Sequence, residues 1–354
     1  MRKLFFVLTF LTILGVKAQT EVNSFATGTN EGVTYCLPDT RIDITVEAMC
    51  VTNTPGEFNR YAERYLRINN AISETESVWT INNITIASVG VPSAEKMFTI
   101  KLNNSTASNI ALDNDGIIAA INRQPATAAT PQRAAARVAH RTDATQYMTE
   151  EMLQATTTAK LAELVAKEIY LVRESKLSIT RGSAENMPRD GQAMQLVLEE
   201  LDKQEQAFKE MFTGYSDTVI HTFTFSIMPT AEECDTTKAV LFRFSRKLGV
   251  LDSENLAGEP VYYNLKNLKS VETPTAAEQE SRRTLRKEGV CYNIPGKARI
   301  EIYTRGRRLI EEEISIAQLG TTEILAKNLF NKSNKTKVLF NTATGGIISI
   351  EKED

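Results

Sequence analysis

The sequence predicts an α+β fold: two related β-rich lobes, an internal duplication, with an antiparallel helical hairpin between them. Three observations predict it. Apolar and polar residues alternate in two regions, at Ile42, Ile44 and Val46 near the start and at Val219, Phe223, Phe225 and Ile227 past the middle, as on half-buried strands. Between those regions the apolar period lengthens to that of a helix, over residues 149–180 and 191–213. Three short blocks also recur, in the same order, in both strand-rich regions.

Taken in order, residues 1–18 predict a secretory signal peptide. Arg2 and Lys3 precede the apolar run from Leu4 to Val16, and Val16-Lys17-Ala18 supplies the modest side chains a signal peptidase reads before Gln19. The run is shorter than the roughly 20 residues a bilayer span needs, so no transmembrane segment is expected in the mature chain. The first cysteine is Cys36, far from the cleavage point, so no lipid anchor is expected either.

Residues 19–122 predict the N-terminal β-rich lobe. Glu31 to Leu37 and Arg41 to Val51 flank Pro38-Asp39 and read as a hairpin. Thr54-Pro55-Gly56-Glu57 has the form of a capping box, and Phe58, Tyr61, Ala62, Tyr65 and Leu66 make one helical stripe. This inserted helix is expected to pack on the sheet. Strands follow at Trp79 to Val89, Met97 to Leu102 and Asn109 to Ile121.

Residues 123–148 predict a linker, because Ala, Thr, Pro and Arg offer almost no large apolar surface to offset ordering entropy. Arg123, Arg133, Arg137 and Arg141 are read as solubilising it. Residues 149–214 predict the helical hairpin. Leu161, Leu164, Val165, Ile169, Val172 and Ile179 form one stripe, and Val197, Leu201, Phe208 and Phe212 belong to the other. Gly182 to Pro188 interrupts the helices, Asp190 is placed to cap the second, and Gly214 is placed to end it. Residues 215–354 predict the C-terminal lobe, with strands at Val240 to Phe244, Pro260 to Leu265, Val290 to Ile294 and Arg299 to Tyr303. A hairpin of Lys337 to Phe340 and Ile347 to Glu351 closes the chain.

The repeated blocks tie the two regions together. Glu31-Gly32-Val33-Thr34-Tyr35-Cys36-Leu37-Pro38, then Arg41-Ile42-Asp43-Ile44, matches Glu288-Gly289-Val290-Cys291-Tyr292-Asn293-Ile294-Pro295, then Arg299-Ile300-Glu301-Ile302. Ile84 to Gly90 matches Ile314 to Gly320, and Gly116-Ile117-Ile118 matches Gly346-Ile347-Ile348, with the same step of 32 residues between these two blocks in both copies. Each block joins strand residues to a turn Gly or Pro, so a backbone layout is repeated and the two copies are expected to follow equal paths.

With these blocks in view, the chain resembles an uncharacterised family of exported Bacteroidales proteins of about this length. The resemblance rests on the Glu31-Gly32-Val33-x-Tyr35-x-Leu37-Pro38 opening, on Pro55-Gly56-Glu57-Phe58 with Tyr61-Ala62-Glu63-Arg64-Tyr65-Leu66, and on Met187-Pro188-Arg189-Asp190-Gly191. Phe212-Thr213-Gly214 and Gln318-Leu319-Gly320-Thr321 complete it. It implies a place in the cell envelope and brings no activity and no functional residues to carry over.

Composition excludes some chemistry. Removal of Arg2, Lys3 and Lys17 with the leader takes the balance from 41 basic against 44 acidic residues to 38 against 44, which leaves no cationic excess to displace counterions from nucleic acid. Cys36, Cys50, Cys234 and Cys291 lack metal-ligand spacing and leave three full pairings open. Small buried residues or structural disulfides are the expectation, and a hairpin at Pro38-Asp39 would hold Cys36 too far from Cys50 to bond. His221 shares a strand face with Val219, Phe223 and Phe225, His140 falls in the linker, and neither is expected to be catalytic. Asp113-Asn114-Asp115-Gly116 reads as a hairpin turn, since Ile117, Ile118, Ala119 and Ala120 follow where calcium ligands would have to stand. Tyr262-Tyr263 must face opposite sides of a strand, so at most one of them lies on any binding face.

No catalytic residue, cofactor or metal is therefore expected. The sequence predicts an exported, non-enzymatic protein-binding or scaffolding component of the bacterial cell envelope, periplasmic or associated with the outer membrane, with an envelope protein as partner. The rivals are a glycan-acting hydrolase using paired carboxylates and a small-ligand carrier with its site between the lobes.

Overall fold

The structure, a computed structural model, describes residues 32–101, 109–125, 141–185, 190–230, 234–272, 278, 289–330 and 336–352. The signal peptide, most of the linker and His140 lie outside the described residues. Residues 32–54, expected to be a hairpin, form one 23-residue strand, β1 (Gly32–Thr54). Pro38 does not turn the chain. It lies opposite Pro92 of β2 (Glu76–Lys101), where the register slips between Cys36 and Pro38. Proline has no amide to donate, and a bulge is a place where a strand tolerates that loss. Cys36 and Cys50 thus lie 14 residues apart on one strand, about 46 Å at ~3.3 Å per residue, far outside disulfide range. Cys36 and Cys50 are not bonded to each other.

The capping box is not used. Thr54 ends β1, and an uncapped 3-10 turn at Asn59–Tyr61 leads into α1 (Ala62–Leu66). Residues 55–58 are laid instead against a later helix end: the Phe58 amide donates to the Met211 carbonyl at 2.7 Å, and a Cβ at Gly56 would stand 2.3 Å from that oxygen. The stripe is buried as its period requires, but Phe58, Ala62 and Leu66 pack against helices and not against a sheet.

After β3 (Ile110–Leu112) and β4 (Ile118–Ile121) come a 3-10 turn at Ala144–Tyr147 and the helices α2 (Glu150–Leu153), α3 (Thr158–Thr180) and α4 (Gly191–Thr213). Thr149, Thr157 and Asp190 cap these helices, each side chain accepting a backbone amide of the first turn. The linker boundary at 148 shifts: residues 141–148 are ordered by the Asp143 cap and by Tyr147, which packs on the helical core. Strands then follow as β5 (Tyr215–Ile227), β6 (Asp235–Ser245), β7 (Gly249–Leu251), β8 (Glu259–Asn267), β9 (Gly289–Tyr303), β10 (Arg308–Ala326), β11 (Thr336–Phe340) and β12 (Ile347–Lys352). The separate strands expected at Val290 and Arg299 are one strand running through Pro295.

Among the described residues three antiparallel sheets form, ordered β2-β1-β5, β10-β9-β8-β6-β7 and β12-β11-β4-β3. The first two stack face to face. Ile42, Ile44, Val46 and Ile84 of one meet Phe242, Val261, Leu265, Ile300, Ile302 and Ile316 of the other, and Phe225 stacks on Phe242 at 5.0 Å. Each such side chain contributes roughly 1.5–3 kcal/mol when fully buried. The third sheet shares a second core with Tyr35, Leu37, Val290 and Cys291, through Ile118, Ile121, Val338 and Phe340. The helices form a third core around Phe58, Val165, Ile169, Phe208 and Phe212.

The sheets cross the boundary drawn between the two lobes. β1 pairs with β5 and β4 pairs with β11, so strands of residues 19–122 share sheets with strands of residues 215–354. A sheet of two or three strands cannot cover its own apolar face, and pairing across the chain gives both regions common cores. The repeated blocks lie on β1 and β9, on β2 and β10, and at the turns before β4 and β12. Equal paths are not kept throughout, because Val46 faces Ile84 whereas Ala298 faces Ile314.

Candidate functional site

α3 is long enough to reach past the helical core. Its residues Ala162, Val165, Ala166, Ile169 and Val172 are buried, but on α4 burial is confined to Ala207, Phe208 and Phe212 near its end. Beyond that core Ile179 of α3 is also buried, and charge joins the two helices. The Lys176 ammonium lies 2.5 Å from Asp202 and 2.6 Å from Glu205, and Arg173 lies 2.6 Å from the other oxygen of Glu205. Burial pushes the Glu205 carboxyl up, but hydrogen bonds from Lys176 and Arg173 outweigh it and hold the group below the usual carboxylate range. Around this pair Tyr170, Leu171 and Leu177 of α3 and Leu196 and Val197 of α4 are exposed, Leu196 to 67%.

A second feature stands on the outer face of the five-stranded sheet, a groove of about 450 Å³ across β6, β8, β9 and β10. Strand alternation sends Ile300 and Ile302 inward and Arg299, Glu301 and Tyr303 outward. Register then sets side chains in rows: Asp235, Lys266, Arg299 and Glu313 in one, Asn264, Glu301 and Glu311 in the next. Arg308 lies between the two facing glutamates, its Nε 2.8 Å from Glu301 and its Nη1 against Glu311. Arg299 bonds Glu313 at 2.8 Å, which holds that carboxyl below its ordinary range. The Asn264 amide donates to Glu301 at 3.1 Å and accepts from the Tyr303 hydroxyl at 3.2 Å. At the groove edge β6 bulges between Thr236 and Ala239, with Lys238 at φ +60°.

Glu301 and Glu311 face each other across β9 and β10 and share one guanidinium. An acid catalyst must aim a proton at the leaving oxygen and its partner must face water or the sugar, whereas here both carboxylates accept from the guanidinium set between them. Between the two stacked sheets apolar side chains pack against one another.

The residues singled out from sequence are placed as follows. The exposed His221 ring sits 4.8 Å from Trp79 and 6.5 Å from Phe223, an aromatic row that crosses from β5 to β2. Asp113 Oδ1 accepts the amides of Asp115 and Ile117 at 3.0 and 2.8 Å, and Gly116 has φ +80°, so this acid builds the turn between β3 and β4. Cys36 Sγ donates to the Gly116 carbonyl at 3.2 Å, and burial pushes its thiol up. Tyr263 packs into the sandwich core and Tyr262 faces out, stacked on Tyr303. Arg123 pairs with Glu351; Arg141 pairs with Glu210 and lies 3.5 Å over the Tyr215 ring; Arg133 and Arg137 lie outside the described residues. Among the described residues no group of three or more His, Cys, Asp or Glu side chains is placed to hold a metal ion. Sequence reasoning missed the groove, because its rows join residues up to 78 positions apart. The local traces are the alternating charge of Arg299-Ile300-Glu301 and the acidic run Glu311-Glu312-Glu313.

Among the described residues no helix is long and apolar enough to cross a membrane. No curated protein and no solved structure matches the chain. The family described as "Domain of unknown function (DUF4831)" matches residues 31–348, and the chain belongs to that family.

Proposed function

We propose that this protein is an exported, non-enzymatic scaffolding component of the bacterial cell envelope that docks a partner protein on the α3–α4 hairpin. The observation that carries the reading is the distal half of that pair. It is locked by Arg173, Lys176, Asp202 and Glu205, yet it leaves Leu177, Leu196 and Val197 exposed. A rigid helical edge with apolar anchors is a recurrent way to engage another protein. The sheets supply the platform. The same reading takes the repeated blocks as a duplicated β unit. Its support is that the amide of Cys36 donates to the Gly116 carbonyl and the amide of Asn293 to the Gly345 carbonyl, both at 3.0 Å, each copy of the opening strand gripping its own turn.

The test is crosslinking in the native envelope followed by pull-down, comparing the wild type with Leu177→Gln/Leu196→Gln/Val197→Thr. The changed residues are exposed, so the fold should persist, and the crosslinked partners should be lost. Retention of every partner by a folded variant would remove the docking role from this hairpin.

A further inference from the structure

We infer that the outer face of the five-stranded sheet, from Tyr262 to Arg308, is a binding site for a neutral oligosaccharide. The first support is electrostatic. Lys266, Arg299 and Arg308 stand against Asp235, Glu301 and Glu311 along the lining, with Glu313 beside Arg299, so the groove is dense in charged groups but close to neutral. Such a surface provides no field to attract a polyanion or a polycation. It does present carboxylate acceptors and guanidinium donors side by side, and a hydroxyl both donates and accepts. A ligand with many hydroxyls satisfies both kinds of group at once, and an apolar ligand satisfies neither.

The second support is preorganisation. Arg308 is fixed between Glu301 and Glu311, and Asn264 between Glu301 and Tyr303, so the polar edges are already oriented before any ligand arrives. Binding then costs little side-chain entropy, which is where weak polar contacts otherwise lose their advantage. Five donors lie on each guanidinium, and the ion pairs of Arg308 use its Nε and Nη1.

The third support is an aromatic step on the same face, next to the groove lining. Tyr262 and Tyr303 stack at 5.6 Å with 28° between planes, both half-buried on the outer face, and the Tyr303 hydroxyl ties the step to Asn264. A rigid ring beside planar hydrogen-bonding groups suits a sugar, whose one face is C–H and whose rim is hydroxyl. The groove, at about 450 Å³, falls within the size of small-ligand sites.

The experiment titrates the full chain by calorimetry with neutral hexasaccharides of glucose, mannose, xylose and N-acetylglucosamine, with polygalacturonate and heparin as charged controls. At least one neutral oligosaccharide should bind. Asn264→Ala and, separately, Arg308→Ala should weaken that binding by about tenfold or more, with unchanged circular dichroism. Leu196→Gln, on the helices, should bind as the wild type does. Absence of binding by every neutral oligosaccharide, binding of the charged polymers alone, or binding indifferent to both groove substitutions in folded protein would each overturn the proposal. None of these outcomes bears on docking at the hairpin.

Discussion

The hydroxyl of Tyr35 lies between the amide and the carbonyl of Cys291, accepting from the first at 2.8 Å and donating to the second at 3.1 Å. A side chain of β1 thus does for β9 what a neighbouring strand would do, 256 residues along the chain. Burial pushes the phenol well above its ordinary range, so the hydroxyl stays protonated and keeps its donor. Tyr35→Phe removes both bonds while keeping the ring. It should destabilise the protein by about 1–3 kcal/mol, read as a lower urea midpoint at unchanged slope.

The helical core and the helical surface should respond differently to truncation. Phe208 is fully buried between α1, α3 and α4, so Phe208→Ala should cost about 3–5 kcal/mol. Leu196→Ala, at an exposed site, should stay within about 0.5 kcal/mol. Chemical denaturation followed by circular dichroism separates the two, and equal effects would show that Leu196 is covered.

Acid should loosen the α3–α4 pair. The Glu205 carboxyl is held below its ordinary range in the folded protein, so its contribution is present above the usual carboxylate value of about 4.3 and is lost as pH falls through the lowered folded value. The wild type should therefore lose thermal stability more steeply below about pH 4.5 than Glu205→Gln does. Identical slopes in melting temperature against pH would sink this assignment.

Gly249 opens β7 at φ +82°, and a Cβ there would stand 2.8 Å from the ring of Trp79, the one tryptophan. Gly249→Ala combines left-handed strain with displacement of that ring. It should shift the Trp79 emission and lower stability by about 1–3 kcal/mol. An unchanged spectrum would mean that β7 does not rest on Trp79.

Local signals in the sequence were enough for much of the fold. Alternation at Ile42-Asp43-Ile44 and at Phe223-Thr224-Phe225 placed strands, Asp190 and Gly214 placed the ends of α4, and the Asp113 to Gly116 turn was legible. These are properties of a few adjacent residues, whose backbone preference and hydrophobic period act without distant help. Pro38 shows where such signals mislead. A proline in alternating sequence reads as a turn, and only the partner strand with Pro92 shows that it is a bulge.

What only the tertiary structure decided is which surfaces meet. The stripe of Phe58, Ala62 and Leu66 had to be covered, but any apolar face would satisfy that demand, and the carbonyl of Met211 and the close approach at Gly56 directed it to the helices. Whether the β-rich regions stand apart or share sheets was equally open, and the pairing of β1 with β5 and of β4 with β11 decided it. The same holds for the groove, where Asp235, Asn264, Glu301 and Arg308 become neighbours only through strand register. Hydrophobic burial is non-directional and states how much surface must be hidden, whereas backbone hydrogen bonding between distant strands fixes the partner.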